Sequence, residues 1–543
     1  MQTHFIICQH TIEVKINYLA FLANNADSSM KRRDFIKLSS LSILPIIACK
    51  EKYKSLGRNS FDIAINSDMP TGHLIMESEQ FAQGKSYDTN LLVVGAGIAG
   101  LTAAANAPDM DCIVCELSDR IGGSSGSETH NGVAFCQGAH YDLVYPKYFG
   151  EDCLRFFESL DILFFNKHAA LWEYTDKQYL ISTDYESQCF SGGQFRDDVL
   201  VEGEDLDKFM KFMDAQLGNF MLPTRLIDEK FRSLDQEDFL TYLNKHLSLS
   251  TDFIRAIDYQ MFDDFSDEAS KISALAGMYY YANRPYHTSE IEIFSPPEGN
   301  YYFAEKIATK IPEDQIWTKH LVKKISKVKE GFVAEVVDVA TKSVKKVTAT
   351  HLIYAGQKHA LKYVFPEQHY LFEANQYAPW MVINFVLKEN DLNKGYWQNE
   401  IIVPEKSFLG FVDSDAQFKK KDEARVLSAY YCFPQSGREN LANINRTAQQ
   451  VVAQTTENIG WYFGMRPKKF KKIIEKVYIK VMGHGMPIPI PGYLFNDKNH
   501  KRKYKDLVFA GVDNSRLPLL LEAVDSGLCA INEIFSHKIS TIL

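Results

Sequence analysis

Residues 90–100 read Asn90-Leu91-Leu92-Val93-Val94-Gly95-Ala96-Gly97-Ile98-Ala99-Gly100. The run up to Val94 is largely apolar without alternation, the pattern of a parallel strand covered on both faces. It passes straight into three glycines at the spacing G-x-G-x-x-G, and Leu101 to Ala107 then reads as an alanine-rich helix. Each glycine has a mechanical task. Gly95 permits a tight turn, Gly97 lets a pyrophosphate approach the backbone, and Gly100 lets helix and strand pack closely. Ile98 and Ala99 lead into the helix, whose N-terminus offers free N–H groups and a positive dipole end to the phosphates. A second strand, Asp111 to Cys115, ends at Glu116, about 20 residues after Gly95, where an acid can hydrogen-bond a ribose hydroxyl. Strand, turn, helix, strand and acid together predict a dinucleotide-binding unit.

The chain has 543 residues, 45% apolar and 24% charged, the composition of an ordinary soluble globular protein. That length exceeds what one core organises, so two domains are expected. A formal charge of −9 and the lack of a basic block argue against nucleic acid as a partner. Nine cysteines are few, and Cys112-Ile-Val-Cys115 lies in a strand pattern where residues three apart point to opposite faces, so the pair reads as packing and not as a redox couple. No spacing resembles a zinc site, and no metal is expected.

Arg120-Ile121-Gly122-Gly123 extends the fingerprint in a way that resembles the large flavoprotein superfamily, where this second glycine pair passes close to FAD. Further along, the chain resembles the flavin-containing amine oxidoreductases, the family of monoamine oxidases, polyamine oxidases and spermidine dehydrogenases, in a bacterial exported branch. The resemblance rests on Gly138-Ala139-His140-Tyr141, on Pro297-Glu298-Gly299-Asn300, and on the strand Leu321 to Ile325, whose Val322 backbone would meet the adenine. It also rests on Tyr377 to Val382, Gly483 to Pro489, Ala510-Gly511-Val512-Asp513 and Glu522-Ala523-Val524-Asp525-Ser526-Gly527. Two islands depart from the pattern. Val512 is one residue more than the common spacing, and the aromatic wall that monoamine oxidases place before the last element falls on Leu519. No cysteine stands near His484 to carry a covalent flavin, so the resemblance implies noncovalent FAD.

The implied fold is α/β, with a Rossmann-like FAD-binding domain of the glutathione-reductase type assembled from residues 88–142, 290–375 and 480–537. An interleaved α+β substrate domain would come from 143–289 and 376–479, a sheet floor roofed by helices, with the pocket between the two. The resemblance implies oxidation of an amine, possibly a polyamine, by hydride transfer to flavin N5, giving an imine that water hydrolyses. Acidic or aromatic groups would capture the incoming ammonium. Tyr279, Tyr280, Tyr281, Tyr286, Tyr430 and Tyr431 are candidates, and His484 either faces the flavin or braces its loop. A rival reading keeps the fold and desaturates an apolar isoprenoid or lipid, which the leucine-rich run at Leu519 would suit. A third is a noncatalytic FAD-bearing component of a membrane-associated assembly. The final electron acceptor, whether oxygen, a quinone or a carrier protein, stays open.

Residues 1–49 read as an extension followed by an export signal. Arg32-Arg33-Asp34-Phe35-Ile36-Lys37 resembles the twin-arginine motif, and the apolar run Leu38 to Ala48 is shorter than the roughly 20 residues that span a bilayer. Ile46-Ile47-Ala48-Cys49 resembles a lipobox, so a lipid anchor at Cys49 on the periplasmic or cell-envelope side is expected. Residues 1–29 have no place in this scheme. The twin-arginine route carries folded proteins, which agrees with a cofactor loaded in the cytoplasm.

Overall fold

The computed structural model describes residues 61–542 except 78–80, 108, 140–145, 182–186, 283–292, 389–391, 393–394, 404–406, 418–423, 497–502 and 505–506. The export signal, His140 and Tyr286 thus lie outside the described residues.

One sheet is built around the fingerprint strand. Its order is Ile316–Trp317, Cys112–Cys115, Ala82–Val94, Ser343–Tyr354, Phe332–Asp338, His320–Lys327, and Leu507–Phe509 pairs with the end of Ser343–Tyr354. The central pairings are parallel, with Leu92 opposite Leu352 and Leu352 opposite Leu507. The continuous apolar run is explained by this position. Leu91 and Val93 enter one core cluster, Leu92 and Val94 another on the opposite face, and all four are buried. Full burial of one such side chain contributes about 1.5–3 kcal/mol, so a polar residue at any of these positions would be felt. Cys112 and Cys115 separate in the same way, one into each cluster. The C-terminal helix Leu520–Ile542 crosses the fingerprint helix Ile98–Ala105 at small residues, and a Cβ at Gly527 would lie 2.4 Å from the carbonyl oxygen of Ala99.

The second sheet has the order Asp62–Ser67, Ile474–Pro487, Tyr377–Leu387, Arg425–Cys432, Phe408–Asp413, Gln398–Ile402, Ser187–Ser191, Gln194–Arg196. Its two faces are used differently. Met381, Ile383, Phe385, Ala429 and Tyr431 share a core cluster with residues of the helices Ile444–Tyr462 and Pro467–Ile473, while Trp380, Val382 and Tyr430 join the cluster that holds helices Thr251–Phe265 and Ala274–Ala282. Tyr259, on the first of those two helices, donates a hydrogen bond to the carbonyl of Leu409 on the sheet and ties roof to floor.

Two features of this sheet differ from the segment boundaries read in the sequence. The strand Ile474–Pro487 runs unbroken through residue 480, because its apolar pairing with Tyr377–Leu387 continues to Pro487. Upstream of residue 88, Asp62–Ser67 adds a parallel edge strand along Lys476–Val481.

Candidate cofactor and substrate site

Both sheets face one cavity of about 1510 Å³. That exceeds the roughly 300–1,000 Å³ of an ordinary ligand pocket and leaves room for a dinucleotide and a second molecule.

At its floor the glycines divide their tasks as the fingerprint requires. A Cβ at Gly100 would stand 1.9 Å from the Gly95 carbonyl oxygen, so this position admits no side chain. At Gly97 the nearest atom to such a Cβ is the Gly122 carbonyl oxygen at 3.9 Å, and Gly97 lines the cavity. The backbone there is bare toward the space where a pyrophosphate would lie. Gly97 also caps the helix Ile98–Ala105 with no side-chain hydrogen bond, leaving its first N–H groups to a ligand. The second glycine pair closes against the first, with Gly122 N–H donating to Ala96 O at 2.8 Å and the missing Gly123 Cβ lying 3.3 Å from Gly97 Cα. Gly138 is held as tightly, its absent Cβ 1.9 Å from Ser124 O, and Ala139 N–H donates to the same oxygen at 2.9 Å.

Glu116 is buried at the end of its strand, where its carboxylate accepts from Ala96 N–H at 2.8 Å and Ser118 N–H at 2.9 Å. Burial raises its pKa, against the pull of those two donors. Each oxygen retains lone pairs for a ribose hydroxyl. Arg120 lines the cavity from an ion pair with Glu128 at 2.7 Å, and Val322 lines it at a register shift in its strand. Two buried polar atoms along the wall, Gln137 Nε2 and Asn300 Oδ1, have no hydrogen-bond partner among the described residues. A bare glycine backbone, an uncapped helix end, a ribose-seeking acid and two orphaned polar atoms fit FAD.

The C-terminal elements are placed less as expected. Asp513 reaches the cavity lining, yet its carboxylate is already engaged by Lys358 Nζ at 2.9 Å, Lys358 N–H at 2.7 Å and the Tyr377 hydroxyl at 2.9 Å. Lys358 is fully buried, and a buried ammonium needs such a partner. Asp513 thus locks the turn after Tyr354 to the second sheet. Gly511 lines the cavity, and its N–H donates to Ser526 Oγ at 2.9 Å. Glu522 does not face the cofactor groove. Its carboxylate accepts from Thr224 N–H at 2.8 Å and pairs with Arg516 at 3.1 Å, because one residue along the helix start turns the side chain about 100° away from the groove; Ala523 takes the cavity position.

The other end of the cavity is a chamber between the roof helices and the second sheet. Tyr430 lines it, with its hydroxyl 3.3 Å from Gly138 O and its ring edge-on to Trp380 at 6.2 Å. Tyr431 does not reach it. Neighbours on a strand point to opposite faces, and its hydroxyl meets Thr455 Oγ1 at 2.8 Å in the other core. Tyr279 and Tyr280 line the chamber, whereas Tyr281 does not; its hydroxyl donates to the lining residue Gln260 at 2.6 Å. Leu519 stands in the lining where monoamine oxidases would carry an aromatic. His484 stacks on His359, ring centroids 3.6 Å apart and planes 13° from parallel. Burial first, then the cations Arg438 and Lys362, push His359 down to about 4; burial first, then His359, Arg438 and Lys362, push His484 down to about 3, so both are neutral at pH 7.

Asp197, Asp198, Asp263, Asp264 and Glu400 also line this end. No lysine or arginine lines the cavity from 187–300 or 396–430 among the described residues; Arg120, Lys362, Arg438 and Lys480 come from other segments. Sequence reasoning missed these acids. Tyr259 and Asp263 are one helical turn apart on a largely buried helix, which was a usable signal for that pair. Glu400, on a strand beyond a loop, gave none.

A model of the NAD(P)-binding Rossmann-like domain matches residues 93–151, the fingerprint and its second glycine pair. Solved structures match far more of the chain. A putrescine oxidase double mutant with redesigned cofactor binding superposes with a TM-score of 0.59 at 15% identity, over 83% of this chain and 100% of that one. The chain has the fold of the flavin amine oxidases. Cyclohexylamine oxidase from Brevibacterium oxydans IH-35A gives a TM-score of 0.57 at 15% identity over 83% and 99% of the two chains. A protein assigned as a protoporphyrinogen oxidase from Exiguobacterium sp. 255-15 gives 0.56 at 16% identity over the same shares. No curated protein sequence matches the chain. At these identities the likeness carries the fold, and the substrate has to be argued from the chamber.

Proposed function

We propose that this protein is an FAD-dependent oxidoreductase that oxidises an amine, with di- and polyamines the best fit to its chamber. The observation that carries this reading is the charge of the cavity's far end: five carboxyl side chains and several aromatic rings line it, and among the described residues no lysine or arginine of 187–300 or 396–430 does. FAD bound noncovalently in the groove would supply a two-electron acceptor for the C–H bond beside the nitrogen. The chain's own groups do the rest. Asp263, Asp264 and Glu400 attract ammonium groups, and Tyr279, Tyr280, Tyr430 and Trp380 offer π faces and exclude water around the reacting carbon. The neutral state of His359 and His484 keeps two positive charges out of the cavity. Loss of two electrons and two protons leaves an imine, which water converts to a carbonyl compound and a free amine or ammonia.

The expected export by the twin-arginine route and a lipid anchor at Cys49 belong to the same reading: the enzyme would meet extracytoplasmic amines at the membrane surface. The test is anaerobic mixing of the purified holoenzyme with putrescine, spermidine, simple monoamines and an isoprenoid lipid. Bleaching of the flavin by the di- and polyamines supports the proposal. Bleaching by the lipid alone replaces it with a desaturase, and a flavin that nothing bleaches points to a noncatalytic role.

A further inference from the structure

The segment just upstream of the fingerprint strand occupies a position that neither the motif nor the family model covers. After the edge strand Asp62–Ser67 the chain leaves the second sheet and crosses to the first. Its path is pinned at both sides of the adenosine half of the groove. At one side, Asp68 Oδ1 accepts from Ser118 Oγ at 3.0 Å, two residues after Glu116. At the other, Glu77 O accepts from Lys323 Nζ at 2.8 Å, next to Val322, and Ile75 packs on the cluster that contains Val322. Between these points Asp68, Met69, Gly72, His73, Ile75 and Met76 all line the cavity.

The segment is also fastened to the second sheet. Lys480 Nζ donates to Asp68 Oδ2 at 2.6 Å and to Asn66 Oδ1 at 3.4 Å, and Asn66 Nδ2 donates at 3.2 Å to Gln137 Oε1. Ser118 stands two residues after the acid that the fingerprint assigns to the ribose, and Val322 lines the same groove beside Lys323, so a stretch tied to Ser118 and to Lys323 lies across this end of the groove.

Resting on the flavin reading, we propose that Asn66–Met76 is a clasp over the adenosine half of the dinucleotide groove, and that retention of noncovalent FAD depends on it. The clasp adds a wall that the G-x-G-x-x-G unit lacks, and its joint at Asp68 links cofactor retention to the substrate-side sheet through Lys480. A ligand enclosed this way should leave slowly, since release requires the segment to lift.

The test uses the full-length protein, its FAD-stripped form and the variants Asp68→Ala and Asn66→Ala. Loss of the Asp68 joint should raise the FAD dissociation rate by about tenfold, read from the recovery of free-flavin fluorescence, with little change in the melting temperature of the flavin-free protein. Independently of any variant, backbone amides of residues 68–76 should exchange hydrogen at least about fivefold more slowly in the holo than in the stripped wild type. Wild-type release rates in both variants, or equal exchange of the segment in the two forms, would overturn the clasp while leaving the flavin reading intact. A wild type that binds no FAD overturns both and is recognised before any variant is made.

Discussion

In the dinucleotide groove the decisive atoms are backbone atoms: the bare Gly97, the closed turn at Gly100, and the carbonyls that exclude any Cβ at Gly138 and Gly527. In the chamber they are side chains gathered from a roof helix at Asp263, a floor strand at Glu400 and a second floor strand, separated from it by one other, at Tyr430. A groove made of backbone tolerates few substitutions and is written as a local glycine pattern. A chamber made of side chains can exchange one acid for another without disturbing the fold, and it is where specificity is set. Mutations should therefore separate the two: damage to fold or cofactor from the first, changed substrate use with an intact flavin from the second.

The largest effect should come from the glycines. Gly100→Ala must displace the turn, because the new methyl would lie 1.9 Å from Gly95 O, and a loss of at least about 3 kcal/mol in unfolding free energy is expected. Gly97→Val should keep the fold, measured by circular dichroism, and lose the flavin. Retention of FAD by this variant would break the distinction between the two glycines. Next in size, Asp263→Asn combined with Glu400→Gln should lower kcat/KM for diamines by about 100-fold and for monoamines by less, at unchanged flavin content. An equal loss for both substrate classes would remove the charge argument for the chamber.

A pH prediction follows from the stacked histidines. Their folded-state pKa values, about 4 for His359 and about 3 for His484, lie below the ordinary 6.5, so the unfolded chain binds protons that the native chain refuses. Stability is then full above about pH 6.5 and falls with pH until the native rings protonate near 4 and 3. Replacing both by glutamine should flatten the melting temperature between pH 6.5 and 5 relative to the wild type. The smallest effects distinguish two adjacent residues: Tyr431→Phe should cost about 1 kcal/mol of stability and leave kinetics alone, whereas Tyr430→Phe should alter turnover with little change in stability.

Legibility in the sequence follows the same division. The strand, the turns and Glu116 could be read because a motif fixes backbone geometry within about 30 residues. Glu522 could not, since a shift of one helical position turns a side chain about 100° around the axis, and the motif alone does not fix that register. Tyr431 was misplaced for the corresponding reason on a strand, where only the packing of both faces tells which of two adjacent tyrosines faces the chamber. The acids of the chamber and the segment Asn66–Met76 act across long sequence separations, and no local pattern announces a pairing such as Asp68 with Lys480.

The central claim is that the groove holds a flavin, and the visible spectrum of the purified full-length protein tests it most directly. The account predicts absorbance bands of bound flavin near 370 and 450 nm, on the order of one FAD per chain released on heat denaturation. A folded, colourless protein that takes up no FAD on incubation would contradict it.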